Sequence, residues 1–398
     1  MRRLLIPLFA AVLFMGCTSH DPIDDITAKV FDLAKQQYTA MDAALAADKS
    51  PCTTDAEGKL RPAGLGWWGS GFFPGSLWYI YEYTGDKTFL EMAWDHTKRL
   101  DVLIDGKTDH DIGFQINCSY GNALRLTGDS AAVLPTYMAA ARKLGARFSP
   151  VTKTIKSWDF LRNRWIYPVI IDNMMNLELL TVAAGISGED SLADIAVAHA
   201  LTTKKNHFRP DYTTWHLLDY DPETGDIRSK ETVQGYADES AWSRGQAWAL
   251  YGYTMMYRET GIKEFLDQAE HIAGMLIGKL PEDGIPYWDF NAPGAPEGFE
   301  EAPELPVRDA SAGAIMASAF IELSTLTSDG KAAAEYLATA RKQMMTLGSD
   351  EYLAKYGENG FFILKHSVGS FPENREVDVP LSYADYYFLE ALIRYSKL

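Results

Sequence analysis

The feature that most constrains the fold of this chain of 398 residues is a repeated pairing of helices. A largely apolar helix ends in a turn such as Thr84-Gly85-Asp86 or Thr127-Gly128-Asp129, and an amphipathic helix follows. Glycine in such a turn adopts the left-handed conformation that ends one helix, and the polar residue after it caps the next. Related turns begin at Ser187, Thr260 and Thr327.

The helices before these turns are apolar on most of their faces. They are predicted over Gly71–Tyr83, Gly113–Leu126, Asp172–Ile186, Ser240–Glu259, Arg308–Leu326 and Ser382–Tyr395. The helices after the turns, and Asp21–Leu45, carry charged residues on one face. Because fully apolar helices are buried and amphipathic ones lie at the surface, the pattern predicts an all-α (α/α)6 barrel, a toroid of six hairpins. Only one or two short β-hairpins are expected, for example around Trp215–Leu218.

The long connections all precede inner helices, so they are expected to meet at one end of the barrel and form a deep pocket. They contain many aromatic and polar residues, among them Trp67-Trp68, Trp158, Trp165, Trp215-His216 and Tyr287-Trp288-Asp289. Aromatic faces stack on sugar rings, while Asp, Asn, Gln and His bind hydroxyls. This composition favours a carbohydrate-binding pocket, although aromatic residues also fill the cores of such barrels.

Two aspartates open adjacent inner helices, Asp111 and Asp172. Paired carboxyl groups are the usual equipment of glycoside hydrolysis. Val169-Ile170-Ile171 precede Asp172, and burial there would raise its pKa, which suits a general acid. The helix N-terminus would stabilise the anion and act in the opposite direction, and of the two effects we favour burial. Alternatively, Asp172 caps its helix, and Asp111 caps its own helix or orients His110.

Arg244 and His216 form a cationic cluster in an acidic chain. In Trp242-Ser243-Arg244-Gly245-Gln246-Ala247-Trp248 the arginine and Trp248 share one helical face, which suits a forked contact to a sugar carboxylate beside a stacked ring. The alternative is a buried ion pair with Asp238 or Asp309. No metal-binding spacing, phosphate loop, dinucleotide fingerprint or nucleophile elbow is recognisable, so neither a metal nor another cofactor is expected.

The amino terminus has the pattern of a bacterial lipoprotein signal. Arg2-Arg3 and an apolar run lead to Gly16-Cys17, which predicts a signal peptide over residues 1–16, lipidation of Cys17, a tether over 17–25 and a single catalytic domain over 26–398. The chain would then be anchored to a bacterial membrane, facing the periplasm or the cell surface. An ordinary secretory signal is the alternative. Cys52 and Cys118 are expected to be free and buried, although they could pair in an oxidising compartment.

The formal net charge of −17 argues against binding to nucleic acid or to anionic membranes. Contact with a membrane is therefore expected only through the lipid. We expect a monomer.

Five motifs together resemble glycoside hydrolase family 88, the unsaturated glucuronyl hydrolases, in one register from about Trp68 to the carboxyl terminus. They are His110-Asp111-Ile112-Gly113-Phe114, Ile171-Asp172-Asn173-Met174-Met175-Asn176, Gln234-Gly235-Tyr236, Trp242 to Trp248, and Pro286-Tyr287-Trp288-Asp289-Phe290. The resemblance implies the same barrel and the removal of a 4,5-unsaturated uronic acid from the non-reducing end of polysaccharide-lyase products. The family hydrates the double bond, and the hemiketal that results opens and releases the sugar.

The resemblance also assigns roles. Asp172 matches the general acid/base and Asp111 the second essential aspartate. Positions expected to bind the substrate, a glycosaminoglycan-type di- or oligosaccharide, are Trp68, His110, Asn173, His216, Gln234, Arg244, Trp248, Ser367 and Ser370. The chain departs from one pattern, Ser-x-x-Ser-x-Lys, found in members that accept 6-sulfated disaccharides. Pro372 stands where the lysine would be, and Lys365 or Arg375 is a candidate substitute.

Three other functions remain open at this point. An unsaturated rhamnogalacturonyl hydrolase acting on pectin fragments would share the barrel and the chemistry. A sugar epimerase or isomerase would need a histidine pair at the pocket centre, which fits the aspartate-led helices poorly. A non-catalytic glycan-binding lipoprotein would explain the aromatic residues and the lipid signal.

Overall fold

The computed structural model describes residues 20–292 and 307–398. The predicted signal peptide and Cys17 lie outside these residues. The inner helices are α2 (Phe72–Thr84), α5 (Ile112–Ile116) continued by a π-helical turn (Asn117–Gly121) and α6 (Asn122–Thr127), α8 (Asn173–Ser187), α10 (Ser243–Thr260), α12 (Ala310–Leu326) and α14 (Ser382–Tyr395). The outer helices are α1 (Pro22–Ala44), α3 (Lys87–Arg99), α7 (Ser130–Gly145), α9 (Asp190–Asn206), α11 (Lys263–Lys279) and α13 (Gly330–Leu347), and a short α4 (Val102–Asp105) follows α3.

The inner helices close into a ring, which confirms the predicted (α/α)6 barrel. Each packs against the next in chain order, and α14 packs against α2. Their side chains form one continuous apolar core, while the outer helices bury only one face. Gly85, Gly128, Gly188 and Gly261 end inner helices with φ of 67°, 66°, 74° and 67°, the backbone region that favours glycine.

The long connections before the inner helices, which meet at one end of the barrel, contain more strands than predicted. We call this end the active end. Four small antiparallel sheets occur in the described residues: β1 (Lys49–Thr54) with β2 (Leu60–Gly64), β3 (Phe148–Ser149) with β4 (Thr154–Ile155), β5 (Tyr167–Ile170) with β6 (Leu217–Tyr220) and β7 (Ile227–Glu231), and β8 (Ser367–Ser370) with β9 (Arg375–Val379). The expectation of one or two hairpins was too low, because β1–β2, β3–β4, β6–β7 and β8–β9 are four hairpins among the described residues. Strand β5 adds to one of them by pairing with the distant β6.

The predicted tether over residues 17–25 is too long at its carboxyl end, because α1 already begins at Pro22. The Asp21 carboxylate accepts a hydrogen bond from the Ile23 amide at 3.0 Å, which caps α1. The same carboxylate forms an ion pair with Arg341 of α13 and so connects the start of α1 to that helix. Ile23 is fully buried, which ties the first turn to the core.

The described residues also include the two cysteines considered above. Cys52 and Cys118 are free and buried, as expected. Within residues 20–292 and 307–398, no helix combines the length and apolarity that crossing a bilayer requires.

Candidate active site

A small sheet brings Asp172 and His216 together. Strand β5 leads directly into α8, and Ile170 pairs with Leu217 at the start of β6. Next to this pair, the Ile171 amide donates to the His216 carbonyl at 2.9 Å. The His216 Nε2 therefore lies 3.5 Å from the Asp172 Oδ2.

The close approach of two helices places Asp111 near this pair. A Cβ atom at Gly113 would lie only 2.4 Å from the Asn176 side chain, so only glycine allows α5 and α8 to approach this closely. The Phe114 amide donates to the Asn176 Oδ1 at 2.7 Å and fixes the register of the two helices. At the start of α5, the His110 Nε2 lies 3.4 Å from the Asp111 Oδ1.

Neither aspartate uses its carboxylate to cap its helix, although both occupy the N-cap position. Among the described residues, neither side chain accepts a capping hydrogen bond. The side chains of Asp111 and Asp172 are 16% and 14% exposed, whereas His110 and His216 are each 1% exposed. Both carboxyl groups therefore open to the cavity, and the histidines lie behind them.

The two carboxyl groups have opposite pKa shifts. Burial and the charges of Asp109 and Asp172 raise the pKa of Asp111 well above its ordinary value. Burial also raises the pKa of Asp172, but the hydrogen bond and charge of His216, together with Arg244 and His110, outweigh it and lower the pKa overall. The sequence prediction of a raised pKa at Asp172 is therefore wrong, because His216 was not recognised as its partner.

Burial lowers the pKa of His110 to about 4, so this imidazole is neutral near pH 7. Because the Asn176 Oδ1 faces the Phe114 amide, the Asn176 Nδ2 faces the His110 Nδ1, at 3.2 Å. An amide nitrogen only donates, so the His110 Nδ1 accepts and the proton of the neutral ring is on Nε2, which lies 3.4 Å from the Asp111 Oδ1.

Arg244 forms the ion pair that the sequence left open as an alternative, with Asp309 at 3.3 Å. Its guanidinium also donates to Gln234 and to the carbonyls of Val368 and Gly369. The guanidinium lies 4.4 Å from the ring centroid of Trp242 and 5.3 Å from that of Tyr383.

These residues surround a cavity of about 400 Å³. One wall is apolar and the other is charged and polar. The apolar wall comes from the connection before α8 and includes Trp158, Phe160, Leu161, Trp165 and Ile170. The opposite wall comes from the β8–β9 hairpin and includes Gly369, Ser370, Glu373, Arg375 and Glu376.

Seven of the predicted site residues line this cavity: Trp68, Asp111, Asp172, His216, Gln234, Arg244 and Ser370. Four others lie behind its wall and are almost fully buried: His110, Asn173, Trp248 and Ser367. Asn173 donates to the Ile155 carbonyl at 2.8 Å. Trp248 packs against Phe114 and Tyr387 in the barrel core, so for this residue the core alternative describes the structure better.

Two residues of the cavity, Asp109 and Phe160, were not predicted from the sequence. Asp109 lines the cavity and accepts a hydrogen bond from the Asp111 amide at 3.0 Å, and the run Asp109-His110-Asp111 could have indicated it. Phe160 is 57% exposed and stacks on Trp158, and no local pattern distinguishes it from a core aromatic. Within the described ranges, no group of three or more His, Cys, Asp or Glu could hold a metal ion.

Comparison with known proteins gives a consistent result, although no protein-family model matches the chain. The chain is 46% identical to an unsaturated glucuronyl hydrolase of Formosa agariphila, over 83% of this chain and 80% of that protein. It is 31% identical to an unsaturated chondroitin disaccharide hydrolase of Streptococcus pneumoniae, over 83% and 82% of the two chains. A crystal structure of an unsaturated glucuronyl hydrolase specific for heparin superposes with a TM-score of 0.87, at 46% identity and over 94% and 98% of the two chains.

Proposed function

Since the chain belongs to the unsaturated glucuronyl hydrolases, which are glycosidases, we propose that its 400 Å³ cavity binds and releases a 4,5-unsaturated uronic acid. This sugar stands at the non-reducing end of a polysaccharide-lyase product. One observation carries the proposal. Asp111 and Asp172 begin adjacent inner helices and open into the same cavity without capping those helices.

Asp172 is the general acid and base in this proposal. In its protonated form it donates a proton to C4 of the double bond, and the ring oxygen stabilises the positive charge that develops at C5. Water then adds at C5 and returns its proton to the Asp172 carboxylate, so the catalyst is regenerated. The hemiketal formed at C5 opens, and the remaining saccharide is released.

The substrate itself helps to protonate Asp172. His216 and Arg244 lower the pKa of Asp172. A bound uronate brings a second carboxylate into the cavity and excludes water, and both effects raise the pKa of a neighbouring carboxyl group. Burial and the charges of Asp109 and Asp172 raise the pKa of Asp111, and in its protonated form this carboxyl group donates a hydrogen bond to a ring hydroxyl without adding another negative charge.

For the sugar attached to the uronate we infer a heparin-type unit. The support is the 46% identity to a hydrolase specific for heparin, against 31% for the chondroitin disaccharide hydrolase. The charged wall also lacks the lysine of the 6-sulfate pattern. Of the two candidate substitutes, Arg375 lines the cavity, whereas the Lys365 ammonium donates to the Asp350 carbonyl away from it.

Ultraviolet absorbance tests the function directly, because hydration destroys the conjugated double bond. We expect absorbance to fall with an unsaturated heparin-type disaccharide, and more slowly with chondroitin-type disaccharides. An unsaturated pectin fragment tests the rhamnogalacturonyl alternative. If the spectrum stays unchanged across all of them while calorimetry detects binding, the protein is a glycan-binding protein and the proposal is wrong.

We propose further that the protein is a monomeric lipoprotein anchored through Cys17. The support is the sequence alone, because the signal lies outside the described residues. Expression of the full-length chain in a bacterial host should place it in the membrane fraction, and Cys17→Ser should release it. Detection of Cys17→Ser in the membrane fraction at the wild-type level would contradict the anchor. Light scattering of the protein that begins at residue 20 would measure the oligomeric state.

A further inference from the structure

Arg244 is held by several contacts within the protein. Nη1 donates to the Asp309 Oδ2 at 3.3 Å and to the Val368 carbonyl. Nη2 donates to the Gln234 Oε1 at 3.0 Å and to the Gly369 carbonyl at 2.6 Å. An arginine has four hydrogens on its two terminal nitrogens, so these contacts engage all of them. The guanidinium is therefore held in one orientation by Asp309, Gln234 and strand β8.

Asp309 joins this arginine to two other elements and is itself fully buried. Its Oδ1 accepts from the Ser311 amide at 3.0 Å and the Ser311 hydroxyl at 2.6 Å, which caps α12. The same oxygen is 3.4 Å from the Val368 amide in β8. The Asp309 carboxylate therefore contacts the start of α12, the Arg244 side chain of α10 and strand β8, which borders the cavity.

The backbone of β8 is held from both sides as a result. The Val368 amide faces Asp309, and its carbonyl accepts from Arg244. This strand carries Ser367 and Ser370, whose buried hydroxyls have no hydrogen-bond partner within the described ranges. The position of β8 therefore decides where these two hydroxyls and the charged wall lie relative to the cavity.

On the basis of the proposed function, we infer that Asp309 is a positioning residue that sets substrate affinity. It holds the Arg244 guanidinium and strand β8 in place for the uronate and takes no part in proton transfer. In Asp309→Asn an NH2 group replaces one of the two carboxylate oxygens, and this group cannot accept a hydrogen bond. Either the contact to Arg244 or the cap of α12 is therefore lost. Interactions made equally by bound substrate and transition state affect KM rather than kcat.

Steady-state kinetics on the unsaturated disaccharide test this role. Asp309→Asn should raise KM about tenfold, which corresponds to one hydrogen bond to a charged group, while kcat stays within about threefold. Asp385→Asn is the matched control. Asp385 is equally buried and accepts from the amides of Ile363 and Leu364, but no contact joins it to Arg244 or β8 among the described residues. Its KM should equal that of the wild type.

A double-mutant cycle separates positioning from a general loss of packing. If Asp309 acts through Arg244, Asp309→Asn should add little to the KM of Arg244→Gln. Additive effects, or a kcat that falls more than KM rises, would overturn the inference.

Hydrogen exchange gives a readout that requires no turnover, so it stands even if the proposed function fails. The amides of Ser367–Ser370 should exchange faster in Asp309→Asn and in Arg244→Gln than in the wild type or in Asp385→Asn. If Asp309→Asn does not fold, Arg244→Gln alone decides the outcome. This variant removes the contacts of the guanidinium to β8 and leaves the cap of α12 in place. Unchanged exchange in β8 refutes the inference whatever the absorbance assay shows.

Discussion

The two ends of the barrel both contain cavities lined with buried charged residues, yet they differ in how those residues are paired. The end without the long connections has the larger cavity, of about 510 Å³ against about 400 Å³. There Arg258 joins Glu178 and Glu322, and Arg394 joins Glu322 and Glu390. Together with Tyr79, Asn117 and Arg125, this network includes a side chain from every inner helix.

At the active end several buried polar atoms have no such partner. Apart from the 3.5 Å approach of His216 to Asp172, neither ring nitrogen of His216 nor the Asp172 Oδ2 has a hydrogen-bond partner in the described part of the chain. The Ser367 and Ser370 hydroxyls share this property. Unpaired buried polar groups are costly, and these lie at the cavity that we propose binds the substrate. In this barrel the pairing of polar groups distinguishes the active cavity, and volume does not.

The largest expected effect tests the active end. Asp172→Asn should lower kcat about a thousandfold, because the amide cannot donate a proton to C4 and take one back from water. Substrate affinity should stay close to that of the wild type, since the amide keeps the shape and most hydrogen bonds. Absorbance kinetics and calorimetry measure the two quantities. Glu390→Gln, at the opposite end, is the control, and its kcat should not change. A similar loss of kcat in both variants would remove the distinction between the ends.

The second prediction tests the opposite end. Arg258→Met leaves Glu178 without an arginine partner and Glu322 with Arg394 alone. Loss of these half-buried ion pairs should cost about 2 kcal/mol, between the values for exposed and for fully buried pairs. The free energy of unfolding should fall by that amount in denaturant titrations, while kcat/KM of the folded enzyme stays unchanged. The control is Lys263→Met, which removes an exposed pair with Asp267 and should leave the unfolding midpoint where it is. A large fall in kcat/KM of Arg258→Met would mean that the two ends are coupled.

The sequence predicts the ring of helices well because its signals are local. The turn at Gly85 lies within a few residues of the helices that it separates, and so does every other glycine turn. The signal for burial of Asp172 is also local, because the apolar residues Val169, Ile170 and Ile171 directly precede it and indicate that burial correctly. The direction of its pKa shift could not be predicted, because the decisive partner, His216, arrives through the pairing of β5 with β6.

Partners across the barrel are invisible to local patterns for the same reason. The sequence offers both Asp238 and Asp309 as partners of Arg244, and only the fold selects Asp309. Glu178 and Glu322, on helices that are otherwise apolar, give no sign in the sequence that they share one arginine. Packing also decides that Trp248 faces the core, although its spacing from Arg244 on α10 allows either arrangement.

The third prediction concerns Asp385, a carboxyl group at the active end that has several hydrogen-bond donors. Asp385 accepts from the Tyr38 hydroxyl and from the amides of Ile363 and Leu364, but burial outweighs these contacts and raises its pKa to about 7. The folded protein therefore binds one more proton than the unfolded chain between about pH 4 and about pH 7. The stability that this proton contributes is fully present below that window and is lost as the pH rises through it.

Asp385→Asn should remove this dependence. Relative to the variant, the free energy of unfolding of the wild type should fall by up to about 1.4 kcal/mol per pH unit across the window. Parallel denaturant titrations at several pH values measure the difference, and the constant offset between the proteins does not enter. A difference that is independent of pH would show that Asp385 is ionised in the folded protein throughout the window, so that pairing, rather than burial, controls it.

The smallest expected effect concerns His216 and the pH profile. Asp172 must hold a proton before it can donate one, so activity should fall as the pH rises through its pKa. Because His216 lowers that pKa, His216→Gln should raise it and move the falling limb of the kcat/KM profile to higher pH, whatever happens to the maximum rate. His271→Gln, an exposed histidine on α11, should leave the limb in place. If the limb does not move in His216→Gln, another group controls the proton on Asp172. Asp111 would then be the first to test, because its carboxyl group opens to the same cavity and carries the raised pKa.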